Sequence, residues 1–459
     1  MGRRENFTNQ RAAVLAMAGS AIGLGNIWRF PYMVGQNGGA AFILIYILCC
    51  LFISLPIFLC ESVLGRSTQS STFGAVEKTA PGSPIRWLSL ITVIAPLIIL
   101  SFYSVVGGWS IDYLVQSLFK GFDGNVSDTF TALSSSVWKP LLMFSIFSGI
   151  TALIVTAGVK SGIERFNNIS MPVLFVLILA IALYSITLPG AAAGVNYLLK
   201  PDFSKVTPDT VIYALGQSFF SLSLGVGTVL TYSSYMKKGT SLVSSSLGTA
   251  GFDLLFALIA GFAIMPAVFA AGIEPGAGPG LIFETLPSIF VQMGEIVPVL
   301  SRIISIIFFL TIVVAALTSS ISMFEVGVAY LVEQKHLSRK KSVLLILAGT
   351  WILGALCSLS FGPLSGIQLF GQNIFGFCDS LTSNFLMVFG ALFFVYLTGW
   401  KMDRNAVLAE LGGSKGQSGL GKNDGILGRV IFFSIRYAAP PGIIAIFLSN
   451  LLMLLRNPI

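Results

Sequence analysis

The chain has 459 residues, 55% of them hydrophobic and 10% charged, with a mean hydropathy of +0.86 and a formal net charge of +8. Soluble domains carry about 25% charged residues, so a water-soluble globular protein is excluded and a polytopic membrane protein is indicated. The basic residues are spread over many loops rather than gathered into one patch, so the charge calls for no nucleic-acid partner.

Eleven spans are predicted, at roughly 11–36, 40–66, 86–118, 139–158, 165–187, 210–235, 241–271, 298–332, 342–361, 370–399 and 427–455, each meeting the ~20 residues that crossing a bilayer requires. With the amino end inside, the cytoplasmic segments collect most Lys and Arg, among them Arg3, Arg4, Lys237, Lys238, Arg339, Lys340 and Lys341. The external segments hold Lys120, Lys139, Lys200, Lys205 and Arg456. The polar, Gly-rich loop 400–426 reads as a flexible linker.

The first span is interrupted by Gly19-Ser20-Ala21-Ile22-Gly23-Leu24-Gly25-Asn26, residues that favour helix poorly. Backbone is left unwound at membrane depth only where it lines a cavity or is buried in protein. The sixth span repeats the anomaly at Ser221-Leu222-Ser223-Leu224-Gly225-Val226-Gly227. The two broken segments enter the membrane from opposite sides, the trace of an inverted repeat of five plus five spans (about 11–187 and 210–399) followed by an extra helix (about 427–455), all within one domain, 1–459. Such a pair of breaks points to a binding site at mid-depth.

Polar residues cluster at that depth: Ser20 and Asn26 at the first break, Gln217, Ser221 and Ser223 at the second, Asp253 in the seventh span, and Thr318-Ser319-Ser320 in the eighth. A buried carboxylate needs a cation, a partner or a proton. Hard oxygen ligands with free carbonyls suit an alkali cation. The five cysteines lie in apolar spans without metal-ligand spacing and read as packing residues, and His336, the single histidine, sits in a basic loop. A His-based triad or zinc site is thereby excluded.

These residues resemble the neurotransmitter:sodium symporters in their bacterial, eleven-helix amino-acid branch. The resemblance is carried by Arg4-Glu5-Asn6-Phe7, by Ala18 to Pro31 with the core Gly23-Leu24-Gly25-Asn26-Ile27-Trp28-Arg29-Phe30-Pro31, by Asn37-Gly38-Gly39-Ala40-Ala41-Phe42, by Gln217 to Gly225 and by Leu317-Thr318-Ser319-Ser320. It implies an all-α membrane protein of the LeuT-type fold, with discontinuous helices 1 and 6. It also implies two sodium sites. The first would use Ala21, Asn26, Ser221, Asp253 and the substrate carboxylate; the second would use Gly19, Ile22, Ala315, Thr318 and Ser319. Animal relatives often carry Asn where Asp253 stands and recruit chloride, so a built-in carboxylate near Tyr46 and Gln217 implies transport without chloride.

By the same resemblance the substrate carboxylate would meet the Leu24 and Gly25 amides and Tyr103, and its ammonium carbonyls at Ala21, Phe220 and Ser223. Ser20 and Ser221 would border the pocket, and Ile99, Phe220, Val226, Ser319 and Met323 would face the side chain. Val226 stands where a leucine-type relative has Phe, which makes room for a large apolar side chain. Two gates are implied: Arg29 with Asp379 outside, through water, and Arg4 with Glu333 inside, with Phe7 as plug and Tyr235 as brace. Glu325, where a relative has Gln, would compete for Arg4. Residues 162–172 of the fifth span, bounded by Gly162 and Pro172, form either a hinge that admits water to the second site or a simple proline kink. Glu61 would accept amides freed by the breaks.

The expectation is therefore a sodium-coupled symporter of hydrophobic or aromatic L-amino acids in a bacterial plasma membrane, in contact with lipid and without an obligatory protein partner, working by alternating access as spans 1, 2, 6 and 7 rock against the rest. The rival is an amino-acid sensor with a transporter fold and little flux. An intramembrane enzyme lacks the residues its chemistry needs.

Overall fold

The structure, a computed structural model, describes residues 5–122, 126–272, 280–412 and 424–456. Among these, nine helices are long and apolar enough to cross a membrane: Ala40–Thr68, Pro84–Phe119, Trp138–Thr156, Val159–Ser185, Leu242–Ala270, Pro298–Gln334, Arg339–Leu359, Ile374–Lys401 and Gly425–Leu452. The first span is a bent pair, Gln10–Ala21 and Gly25–Gln36, whose halves meet at 57°. The sixth is also in two pieces, Pro208–Ser221 and Thr228–Ser233. The nine helices and the bent first pair follow the expected order, the sixth span is present as two shorter helices, and both breaks fall where Gly, Ser and Asn replace apolar helix formers.

Local chemistry sets the ends of the broken helices. Asn9 caps the first by accepting the Ala12 amide at 2.9 Å, and Thr207 with Thr210 forms a reciprocal capping box ahead of Pro208 in the sixth. After Ser221 the chain turns through left-handed backbone at Ser223 (φ 52°), Gly225 (φ 80°) and Gly227 (φ 70°). Gly225 is needed for close approach as well, since a Cβ there would lie 2.7 Å from the Ala391 amide nitrogen, and one on Gly390 would fall on the Gly225 carbonyl. The sixth-span break is thereby wedged against the tenth span.

Two groups of helices share the packing. Spans 1, 2, 6 and 7 lie against one another, while spans 3, 4, 8 and 9 form a second group with the long third and eighth helices at its centre. Short helices that the sequence did not announce cover the span ends: Thr72–Thr79, Val126–Ser135, Ala191–Leu199 and Leu286–Ile296. The expected flexible linker 400–426 needs correction in its first part, while residues 413–423 lie outside the described residues. Residues Arg404–Gly412 form a helix with Val407 and Leu411 buried, and Glu410 pairs with the buried Arg66 at 2.6 Å. The Arg66 guanidinium also donates to the Glu410 and Thr240 carbonyls. Burial of Val407 and Leu411 with a well-shielded charge pair gives this segment a tertiary anchor that its composition does not advertise.

Candidate functional site

Three polar side chains from three spans converge beside the first break. The Asn26 carboxamide nitrogen donates to Asp253 Oδ1 at 2.7 Å and to Ser221 Oγ at 3.1 Å, and Ser221 Oγ donates to Asp253 Oδ2 at 2.7 Å. All three are buried. Asn26 Oδ1 accepts the Gly23 amide at 3.2 Å, holding the unwound turn. The Tyr46 hydroxyl and Gln217 Oε1 are buried without hydrogen-bond partners, while Gln217 Nε2 reaches the Gly25 carbonyl at 3.5 Å.

A second cluster joins the first span to the eighth. Ser319 Oγ lies 3.4 Å from the Gly19 carbonyl and 3.2 Å from that of Ile22, and Thr318 Oγ1 lies 3.4 Å from Ile22 O and 2.9 Å from Ala315 O. Gly19, Ile22, Ala315, Thr318 and Ser319 therefore form one set of hard oxygens. Breaking the first helix at Ile22, whose backbone turns extended (ψ 109°), releases the carbonyls that compose it.

Between the clusters lies a cavity of about 40 Å³. Ser20, Ala21, Gly25, Ile99, Tyr103, Phe220, Ser221, Ser223, Val226, Ser319 and Met323, all expected there, line it together with Asn26. Leu24 does not: its side chain packs in the core, and its amide donates to the Tyr103 hydroxyl at 3.0 Å, leaving Gly23 on the wall. Met387 of the tenth span is a lining residue that the sequence did not flag, because it sits in an uninterrupted apolar run. Ser20 and Ser223 tie the two breaks together: Ser223 Oγ donates to the Ser20 carbonyl at 3.1 Å, and Ser20 Oγ to Ser322 Oγ at 2.7 Å. Glu61 Oε1 accepts the Gly225 amide at 2.7 Å.

The two ends of the cavity differ. On the side away from the amino terminus a vestibule of about 330 Å³ descends to Phe220 and Met387, residues it shares with the inner cavity. Arg29 and Asp379, expected to meet through water, make no direct ion pair among the described residues. The Arg29 guanidinium carbon instead lies 4.5 Å from the Phe220 ring centroid, and Asp379 accepts from Ser383 at 3.0 Å. On the amino-terminal side Phe7 is buried, packed edge-on against Tyr232 and Tyr235, and its amide donates to the Tyr235 carbonyl at 3.0 Å. Tyr235 donates its hydroxyl to Glu325 at 2.7 Å.

Glu325 is engaged by Arg339, which pairs with it at 2.6 Å and also donates to the Val155 carbonyl at 2.8 Å. The two members of this pair, Arg339 and Glu325, come from neighbouring helices. Arg4 lies outside the described residues; Glu333, its expected partner, accepts the Ser71 amide at 2.6 Å.

Two broken helices enclosing a polar-ended cavity, with a vestibule on one side and an aromatic plug on the other, define a membrane transporter. The sequence model of the sodium:neurotransmitter symporter family matches residues 4–125 and 119–411. An uncharacterized sodium-dependent transporter, YhdH, of Bacillus subtilis is 38% identical over 448 residues, spanning 95% of each chain. The sodium-dependent serotonin transporter of Drosophila melanogaster is 26% identical over 81% of this chain and 67% of its own. Among solved structures, MhsT in complex with L-phenylalanine superposes with a TM-score of 0.87 at 39% identity, covering 98% of this chain and 100% of that one. The chain belongs to the sodium:neurotransmitter symporter family, and it is a sodium-dependent transporter rather than an enzyme.

Proposed function

We propose that this transporter is a symporter that carries hydrophobic and aromatic L-amino acids with sodium, without chloride, across a bacterial plasma membrane with its amino end in the cytoplasm. The observation that carries the reading is the polarity of the central cavity. One end presents Tyr103, the unwound backbone near Gly25 and the Asn26–Ser221–Asp253 group; the other presents Ile99, Phe220, Val226 and Met323. An amino acid fits with its charged head at the breaks and its side chain against the apolar wall. The complex of MhsT with L-phenylalanine supports the same substrate class, and the excess of Lys and Arg on the amino-terminal side supports the orientation.

Two sodium sites follow from the two oxygen clusters. At the first, the Asn26 amide nitrogen stands where Ser221 Oγ, Asp253 Oδ1 and the Asp253 carbonyl converge. A cation bound there takes the place of that nitrogen, and the carboxamide turns Oδ1 toward it. The bound substrate carboxylate adds a ligand, so ion and solute stabilise each other. The carboxylate of Asp253 supplies the negative charge that chloride would otherwise provide. At the second site, an ion held between Gly19, Ile22, Ala315, Thr318 and Ser319 favours the packing in which the first and eighth spans touch, the differential affinity that a switch requires. Alternating access then opens the Phe220–Arg29 lid or the Phe7–Tyr235 plug in turn as spans 1, 2, 6 and 7 rock against the rest.

Equilibrium binding of labelled phenylalanine to purified protein tests this reading. Saturable binding in sodium gluconate, lost in potassium gluconate and unchanged on adding chloride, is expected. Binding that persists in potassium, or that requires chloride, overturns it.

A further inference from the structure

On the amino-terminal side, where the tenth span ends, an apolar groove of about 400 Å³ opens on the surface. Phe389, Leu392, Tyr396 and Trp400 of the tenth span form one wall, and Pro440 of the eleventh and Leu88 of the short helix Pro84–Leu88 complete it. From Trp400 to Phe389 the wall runs about 16 Å at about 1.5 Å per residue, roughly half of a hydrocarbon core of about 30 Å. Tyr396 and Trp400 are exposed and stacked, with ring centroids 6.3 Å apart, and Tyr437 is exposed as well. Exposed Trp and Tyr mark the headgroup level of a bilayer, so the mouth of the groove sits there and its far end lies in hydrocarbon. Two cations stand at the mouth. Lys401 Nζ lies 5.8 Å from the Tyr396 ring centroid, and the Arg436 guanidinium carbon lies 5.6 Å from those of Trp400 and Tyr437. Neither makes an ion pair among the described residues, and Arg436 Nε is buried without a hydrogen-bond partner.

We propose that this groove binds one anionic phospholipid from the leaflet on the amino-terminal side, with the phosphate on Lys401 and Arg436 and an acyl chain along Leu392 and Phe389. The guanidinium offers a planar fork to two phosphate oxygens and the ammonium a point charge beside it. Charge decides among the occupants. A second copy of this chain, docked by the same face, would bring its own Lys401 and Arg436 against these. A zwitterionic lipid carries a cation of its own to the mouth, and free phosphate leaves the apolar wall uncovered. An anionic lipid satisfies mouth and wall together, and basic pockets between spans are where such headgroups collect. The groove shares no lining residue with the central cavity, so the site stands apart from substrate and ions.

Native mass spectrometry of the purified full-length protein, titrated in detergent with dioleoyl phosphatidylglycerol or with phosphatidylcholine of the same chains, reads the first lipid bound. The wild type should hold phosphatidylglycerol at least tenfold more tightly than phosphatidylcholine. Lys401→Gln with Arg436→Gln, which keeps the side-chain stems and removes the charge, should abolish that preference. Lys340→Gln with Lys341→Gln removes the same charge from exposed positions on the same side and should leave the preference intact. Leu392→Trp narrows the groove, keeps both cations, and should weaken binding of either lipid at least threefold. An unchanged unfolding temperature in lipid-free detergent checks that the variants fold, and the groove variant tests the site independently of the charge variants. No preference in the wild type, equal losses from the two charge pairs, or a Leu392→Trp that binds both lipids as the wild type does, overturns the proposal in favour of diffuse attraction to a basic surface.

Discussion

Asp253→Asn removes one unit of negative charge and leaves the shape of the side chain almost unchanged. In the structure that carboxylate accepts two buried hydrogen bonds of 2.7 Å, from Asn26 and Ser221, and it is the sole acid of the three side chains that converge there. Opposite unit charges about 4 Å apart at an effective dielectric constant of about 20 attract by about 4 kcal/mol. An amide oxygen still offers a dipole, so part of that attraction survives. At about 1.4 kcal/mol per decade, the half-saturating sodium concentration is expected to rise between tenfold and a thousandfold. Chloride should recover part of the loss, because Tyr46 and Gln217 leave polar atoms unpaired beside the missing charge. The assay is sodium-dependent binding of labelled substrate in gluconate and in chloride. A variant with unaltered sodium dependence and no response to chloride refutes the charge argument.

Other perturbations test other parts of the site. Val226→Phe places a ring in a cavity of about 40 Å³; affinity for tryptophan should fall more than tenfold while a smaller apolar amino acid keeps most of its own, which competition binding resolves. Tyr235→Phe deletes the 2.7 Å bond to buried Glu325, and at about 1.5 kcal/mol for a hydrogen bond to a charged group it should shift the closed-to-open equilibrium of the amino-terminal side about tenfold toward open, read by thiol labelling of a cysteine placed behind Phe7. Glu61→Ala leaves the Gly225 amide without its acceptor inside the membrane; substrate binding should drop at least tenfold, and Glu61→Gln, which keeps an oxygen, should recover most of it.

The breaks and the oxygen clusters were legible in the sequence because each departs from what an apolar span needs. Gly23, Gly25, Gly225 and Gly227 weaken helix, and Asn26, Asp253, Thr318 and Ser319 are too costly at membrane depth to be incidental. What the sequence did not disclose depends on neighbours that only folding supplies. Met387 lies in an apolar run indistinguishable from lipid-facing surface, yet its backbone abuts Gly225 and its side chain closes the cavity. Glu325 stood out as an extra carboxylate, but its partner Arg339 comes from the next helix, across a turn whose path the sequence does not specify. Arg29 carries a charge that draws attention to Asp379, but its contact with the Phe220 ring, which shares the vestibule lining, is not marked in the sequence.

Uptake of labelled tryptophan, leucine and glycine into proteoliposomes, driven by an inward sodium gradient and compared with potassium and with a proton gradient alone, tests the central claim most directly. Concentrative uptake of tryptophan and leucine, weak for glycine and present only with sodium, is the predicted result. Tight sodium-dependent binding without accumulation would make the protein a sensor, and accumulation indifferent to sodium would contradict the account at its core.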